Sequence, residues 1–188
     1  MAMNNPSPSN TLPNHIQRQK GANKKIKELY ESDCRVDFDK VAEPIIWAKD
    51  YDHFFKIVEN LQKDEIFSID YLTDLTAYDN VDHLDGPTRF VLVYQLFSLK
   101  NKIRVRIKMP IDENQDAISI TNIYPAANWM EREVFDMFGI KFKGHPDLRR
   151  ILMDERFQGH PLRKEYKIKD RQPFPDNMKI NLERKPYP

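Results

Sequence analysis

Among its 188 residues the chain has a single cysteine, Cys34. An intrachain disulfide is therefore excluded, and such sparse thiol use suits a reducing compartment. An iron–sulfur cluster takes about four cysteine ligands and a structural zinc site about two to four. The chain alone cannot hold a conventional cluster. Long hydrophobic runs are also missing. The longest, FVLVYQLF at 90–97, is interrupted by Gln95 and falls far short of the roughly 20 residues of a membrane-spanning helix. The N-terminal MAMNNPSPSNTLPNHIQRQ has no apolar stretch for a secretory signal and too few arginines for a transit peptide, so it reads as a solvated tail. Motif absences narrow the chemistry further. There is no GxSxG nucleophile turn, HExxH helix, phosphate loop or dinucleotide fingerprint, so hydrolytic, zinc-protease and nucleotide chemistry lack their usual residues.

Neither sign of charge dominates, at 30 Lys/Arg against 29 Asp/Glu, but the distribution is uneven. Residues 1–30 carry five basic residues and one acid; 31–130 carry 11 and 18; 131–188 carry 14 and 10. An acidic body between two basic ends suggests contact with acidic protein surfaces or phosphates. Nucleic acid is not expected as a partner, because basic and acidic residues interleave and no RNP-like, zinc-finger or helix-turn-helix pattern is present.

Periodicity supplies the elements. Residues 1–23 are low in complexity and read as a disordered tail. KKIKELYES (24–32) predicts a short helix with Ile26, Leu29 and Tyr30 on one face. EPIIWAK (43–49) predicts a strand. Asp50 is placed to cap a helix over 51–63 whose Phe54, Val58 and Leu61 form an apolar stripe. FSIDYLTDLTAYD (67–79) alternates in part. TRFVLVYQLFSL (88–99) is the strongest strand, and its near-continuous apolar run predicts a central position. KIRVRIKMP (102–110) alternates strictly, as a half-buried strand at a sheet edge does, and Ser98 to Asn101 predicts a hairpin with the strand before it. The fold class is α+β, a two-layer domain with helices packed on one face of a mixed or antiparallel sheet. The expected organisation is a tail at 1–23, one domain over 24–165, and an extended proline-rich tail over 166–188 that orders against a partner.

The densest chemistry lies in NWMEREVFDMFGIKFKGHPDLRRILMDERFQGHPLRKEY (128–166). Residues 126–138 predict a helix with Gly139 at its C-terminal cap. On a helical wheel Ala126, Met137, Met130, Val134, Ala127 and Phe138 share a core arc, with Arg132 and Asp136 opposite as an i, i+4 pair. Glu131 and Glu133 fall at the margins of the apolar face, where an unpaired carboxylate is costly. Arg149, Arg150, Arg163 and Lys164 downstream are the expected cations, since guanidinium forks bind carboxylates through two bonds. Glu131 or Glu133 could otherwise serve as a general acid or base, but no nucleophile accompanies them. An ion-pair network fixing the following loop is the favoured reading. His145, Asp147 and His160 carry metal-binding donors, yet each histidine sits in Gly-His-Pro. Gly144 and Gly159 permit unusual backbone angles, and Pro146 and Pro161 fix the next ones. That grammar builds a turn with a capping side chain, used twice. Cys34, near a helix end, and Trp129 and Phe135 read as packing or interface residues. The middle acids Asp70, Asp74, Asp79, Asp82 and Asp85 read as a solvated face, with Asp70 and Asp74 as candidates for pairing with a partner's arginines.

This stretch resembles the signature of the C-subunit family of NADH-quinone oxidoreductase (respiratory complex I), whose mitochondrial counterpart is the iron–sulfur protein 3 subunit. The resemblance rests on three runs. The first is Asn128, Trp129, Glu131, Arg132, Glu133, Asp136, Phe138 and Gly139. The second is Gly144, His145, Pro146, Asp147, Leu148, Arg149 and Arg150. The third is Gly159, His160, Pro161, Leu162, Arg163 and Lys164, with Glu165 where the family commonly has Asp. It extends more weakly back through 67–109 to about residue 24. The resemblance implies a structural subunit of the peripheral arm, with no catalytic residue, no metal and no cofactor of its own. FMN, iron–sulfur clusters and quinone would belong to neighbouring subunits. The partners implied are the quinone-site D subunit, through the C-terminal tail, and the cluster-bearing B subunit. The implied location is the cytoplasmic face of the bacterial inner membrane, held peripherally. The same building block occurs in membrane-bound hydrogenases and ferredoxin- or F420-linked dehydrogenases, which is the alternative.

Overall fold

In the computed structural model the described residues are 13–167, 169 and 172. The extended tail expected over 166–188 lies almost wholly outside them. In chain order the elements are α1 (Asn14–Tyr30), β1 (Val36–Phe38), β2 (Pro44–Trp47), α2 (Tyr51–Lys63), β3 (Tyr71–Asp79), β4 (Phe90–Phe97), β5 (Arg104–Ile111), β6 (Ala117–Ile118), α3 (Ala127–Phe138) and β7 (Phe142–Lys143). Five strands form a mixed sheet in the order β1-β2-β5-β4-β3, and β6 and β7 form a second, two-stranded parallel sheet. Helices pack on one face of the larger sheet, an α+β architecture.

Strand β4 pairs with β3 and β5, so its apolar run is interior as expected. Phe90, Leu92, Tyr94 and Leu96 face the helices and join the main core. Val91 joins a smaller cluster on the opposite face with Ile45 and Trp47. Strand β5 corrects the sequence reading. It is not an edge strand but lies between β4 and β2, pairing antiparallel with the first and parallel with the second. Its alternation reports one helix-covered face, not its place in the sheet. Val105, Ile107, Met109 and Ile111 are buried, while Lys108 lies 4.5 Å over the Trp47 ring on the other side.

Asp50 caps α2 as its position predicts, its carboxylate accepting from the His53 N–H at 2.7 Å, and Phe54, Val58 and Leu61 are buried. Helix reaches further toward the N-terminus than the sequence suggests. Helix α1 already begins at Asn14, so residues 14–23 are helical. Polar composition hid this because the helix is held by few contacts. Ala22, Ile26 and Tyr30 are buried while Leu29 stays exposed, and Gln19 binds the Arg104 backbone on both sides, at 3.0 and 2.9 Å.

Candidate functional site, a helix clasped by two Gly-His-Pro turns

Helix α3 is the organising element. It ends as predicted at Gly139, whose φ of 79° and ψ of 13° are left-handed, a conformation glycine adopts without a Cβ penalty. The last carbonyls of a helix lack partners within it. Here the second Gly-His-Pro turn supplies them. His160 Nδ1 lies 3.0 Å from the Asp136 carbonyl, the Leu162 N–H donates to Met137 at 3.1 Å, and Arg163 Nε donates to Phe138 at 2.6 Å. Cationic Arg163 at this end also answers the negative pole of the helix dipole. The first turn clasps the other end. His145 Nε2 lies 3.0 Å from the Asn128 carbonyl, and its Nδ1 accepts the Asp147 N–H at 3.0 Å. This arrangement fixes one tautomer and occupies both ring nitrogens. No group of three or more His, Cys, Asp or Glu residues among the described ones could hold a metal ion.

Asp136 is the centre of the attachment. Its side chain is fully buried, pairs with Arg150 at 2.6 Å, and accepts backbone N–H bonds from Ile151, Leu152 and Met153 at 3.0, 2.8 and 2.8 Å. Burial alone would raise its pKa, but the three N–H donors and the guanidinium outweigh burial and hold it below the ordinary carboxylate range. Arg150 also reaches the Gly159 carbonyl at 3.0 Å. Arg132 is buried too, donating to the carbonyls of Arg149 and Arg150 at 3.2 Å each. The expected Arg132–Asp136 pair is therefore corrected. Both residues face away from the main core, but each grips the segment laid over them instead of the other.

The two margin glutamates also differ from expectation. Glu133 is exposed and makes no ion pair with the loop after Gly139. Glu131 is fully buried and pairs with no arginine among the described residues. Its Oε1 accepts the Ile120 N–H at 2.7 Å, just past β6, and its Oε2 is buried with no hydrogen bond within normal geometry among the described residues, as are the Tyr51 and Tyr94 hydroxyls. Burial raises the Glu131 pKa, with the Ile120 bond, Ser119 and His145 opposing it. The folded state therefore holds this proton above the pH at which the unfolded chain releases it. Stability is then greatest below the unfolded pKa of 4.5 and declines as pH rises to the raised folded value. Glu131→Gln keeps an acceptor for Ile120 and removes the ionisation. Its expected effect is a gain of about 1 kcal/mol at pH 8, roughly 2–4 °C in Tm, and no gain at pH 4. Thermal melts of both proteins across that range check it, and parallel pH profiles would contradict it.

The remaining cations act elsewhere than on α3 carboxylates. Arg149 pairs with Asp147 at 2.9 Å on the surface, and Arg163 with Glu113 at 2.8 Å. Lys164 contributes its backbone N–H to Asp79 at 2.8 Å. Asp79 is not a solvated acid. It is buried, and Arg89 grips it through two bonds of 2.7 and 2.8 Å while also pairing with Glu165. Asp85 is likewise held, by Lys108 at 3.1 Å and by the Tyr78 hydroxyl. Asp70 accepts the Leu99 N–H at 3.0 Å, whereas Asp74 and Asp82 are exposed. The Asp79–Arg89 clamp and the Asp136 hub were missed by the sequence reading. One signal was available for the hub: an acid in the last turn of a helix opposes the dipole and calls for compensation.

Several large apolar side chains stay outside. Trp129 is 63% exposed, its ring 5.2 Å from the Arg132 guanidinium, and Leu152 and Leu162 are 61% and 51% exposed. Phe135 is half-buried with its ring 6.4 Å from His160.

Residues 48–172 match the family described as "Respiratory-chain NADH dehydrogenase, 30 Kd subunit". The C subunit of NADH-quinone oxidoreductase from Cereibacter sphaeroides is 49% identical over 110 residues, 58% of this chain and 54% of that relative. The one from Trichlorobacter lovleyi is 52% identical over 108 residues, 56% and 65% of the two chains. The one from Ruegeria pomeroyi is 41% identical over 139 residues, 74% and 68%. The chain thus spans about half the length of the first of these relatives. With the family match extending over more than half of its residues, the clasped helix inside it, this chain belongs to the respiratory-chain NADH dehydrogenase 30 kDa subunit family.

Proposed function

We propose that the chain is a non-catalytic structural subunit of the peripheral quinone module of a proton-pumping NADH-quinone oxidoreductase. The carrying observation is how the signature residues are used. Asp136, Arg132, Arg150, His145 and His160 are consumed in attaching the 144–165 segment to α3. That leaves a rigid surface with Trp129, Leu152 and Leu162 outward. Aromatic anchors on a fixed backbone are the usual centres of binding energy at protein interfaces. In this reading FMN, the iron–sulfur clusters and quinone belong to neighbouring subunits. The B and D subunits of the complex are the partners, D being met through residues 166–188. The chain sits at the cytoplasmic face of the bacterial inner membrane without crossing it. No helix among the described residues is long and apolar enough to cross a membrane.

Mild detergent extraction of the tagged chain, native sizing and mass spectrometry test this. A large assembly containing a flavoprotein and cluster-bearing subunits is expected. A nickel–iron hydrogenase large subunit in its place moves the chain to the related complexes, and a lone monomer overturns the proposal. Trp129→Ala is expected to cost the folded chain about 1 kcal/mol or less while reducing the assembled fraction severalfold, as loss of an interface tryptophan does. Unchanged assembly would remove Trp129 from the interface.

A further inference from the structure

A groove of about 660 Å³ runs between α1, the β1–β2 turn and the start of β5, away from the clasped helix. Its apolar residues are Ile16, Val41, Ala42 and Phe97, its cations include Lys20, Lys102 and Arg104, and Glu43 is its one carboxylate. The walls are pinned before anything binds. Gln19 holds the Arg104 backbone, and Asn23 donates to the Ala42 carbonyl at 2.6 Å. Val41 is 73% exposed at the tip of a turn closed by Asp39, which accepts the N–H groups of Val41 and Glu43 at 3.0 and 2.8 Å. Lys102 and Arg104 each lie 5.8 Å over the Phe97 ring. Of the three cations only Arg104 has a carboxylate partner among the described residues, Glu43 at 3.1 Å.

A preformed apolar trough edged by two lysines with no carboxylate partner among the described residues selects its occupant by charge. We infer that this groove is a second docking site, and that it takes an acidic segment of a neighbouring protein that also carries apolar side chains. The chain's own residues 1–12, MAMNNPSPSNTL, hold no Asp or Glu and leave Lys20 and Lys102 unanswered. A second copy presenting this same face would set like charges together. The inference deepens the reading of the chain as a scaffold but stands on its own geometry.

A photo-crosslinking residue in place of Val41, in the native assembly, tests it. Irradiation and peptide mass spectrometry should place the crosslink on another polypeptide, within a stretch rich in Asp and Glu. In the double variant Lys20→Glu, Lys102→Asn the yield should fall roughly tenfold, and 0.5 M salt should lower it too. Asn is chosen because Lys102 has a φ of 59°, which Asn tolerates well. A crosslink to residues 1–12, to a second copy or to lipid, or no crosslink at all, overturns the inference, as does a yield indifferent to charge. If the chain is recovered alone, the complex reading fails separately. The groove is then tested on the free chain by fluorescence anisotropy with a labelled ten-residue Leu/Glu peptide. Saturable binding that the Leu/Lys counterpart and the double variant lack supports it, and equal binding of both peptides overturns it.

Discussion

Asp136→Ala is expected to lower the unfolding free energy by about 3–5 kcal/mol, the usual cost of removing one partner from a buried, hydrogen-bonded ion pair. The substitution strands the Arg150 guanidinium and three successive N–H groups, those of Ile151, Leu152 and Met153, together. Fully buried Asp136 is the acceptor all four share, so without it the segment should lift off as a unit. Denaturant unfolding measures the loss, and native-state hydrogen exchange should show residues 150–163 opening far more readily than the sheet. A second signature comes from pH. The Asp136 carboxyl is held below its ordinary value of 3.8, so its contribution is complete above that value and disappears as pH falls through the lower, folded one. Asp136→Asn should therefore flatten the acid limb of the stability profile. An Ala variant within 1 kcal/mol of wild type would show that the segment is held by something else.

Gly139→Ala is expected to cost about 2–4 kcal/mol, through two separable effects. A left-handed φ of 79° strains any residue with a Cβ, by about 1–2 kcal/mol. The added Cβ would also fall 2.5 Å from His160 Nε2 and 2.6 Å from its Cδ2. The imidazole cannot swing aside freely, because Nδ1 is tied to the Asp136 carbonyl and the ring stands against Phe135. The helix cap and the second Gly-His-Pro turn are thus one fitted pair. In a His160→Ala background the clash disappears and only the backbone strain remains, so the cost of Gly139→Ala should fall to about 1–2 kcal/mol. Thermal or denaturant melts of the four proteins in this cycle check the coupling. Equal costs in both backgrounds would mean that His160 is not seated against Gly139.

The regular parts of the fold were legible because period and cap are local signals. The alternation of β5, the apolar run of β4, Asp50 before α2 and Gly139 after α3 each reflect a rule that acts within a few residues. What could not be read depends on where one segment lies over another. A helical wheel placed Arg132 and Asp136 on the same outward face, and that is where they are. It could not say that 149–153 covers that face, because an irregular segment has no period to detect. The same limit made Glu133 look like an anchor and left Asp79 among the solvated acids, since the clamp joins residues of β3 and the β3–β4 connection to Lys164 and Glu165 far along the chain. Helix α1 was shortened in the sequence reading because its buried face is only Ala22, Ile26 and Tyr30, too thin a stripe for 17 residues of polar sequence.

The Asp79 clamp has a mechanical meaning. Asp79 ends β3, a strand paired with β4 from Tyr71 to Asp79 with one irregularity between Leu72 and Asp74, and through Arg89 and the Lys164 N–H it fastens the chain just before residues 166–188. Tension arriving from that end would meet the sheet at Lys164 and Glu165, before it could peel the 144–163 segment from α3. The load would pass through Asp79 into β3 and its antiparallel ladder with β4. A joint of this kind would let a pull or twist on the last residues reach the sheet while the helix and its two turns keep their shape.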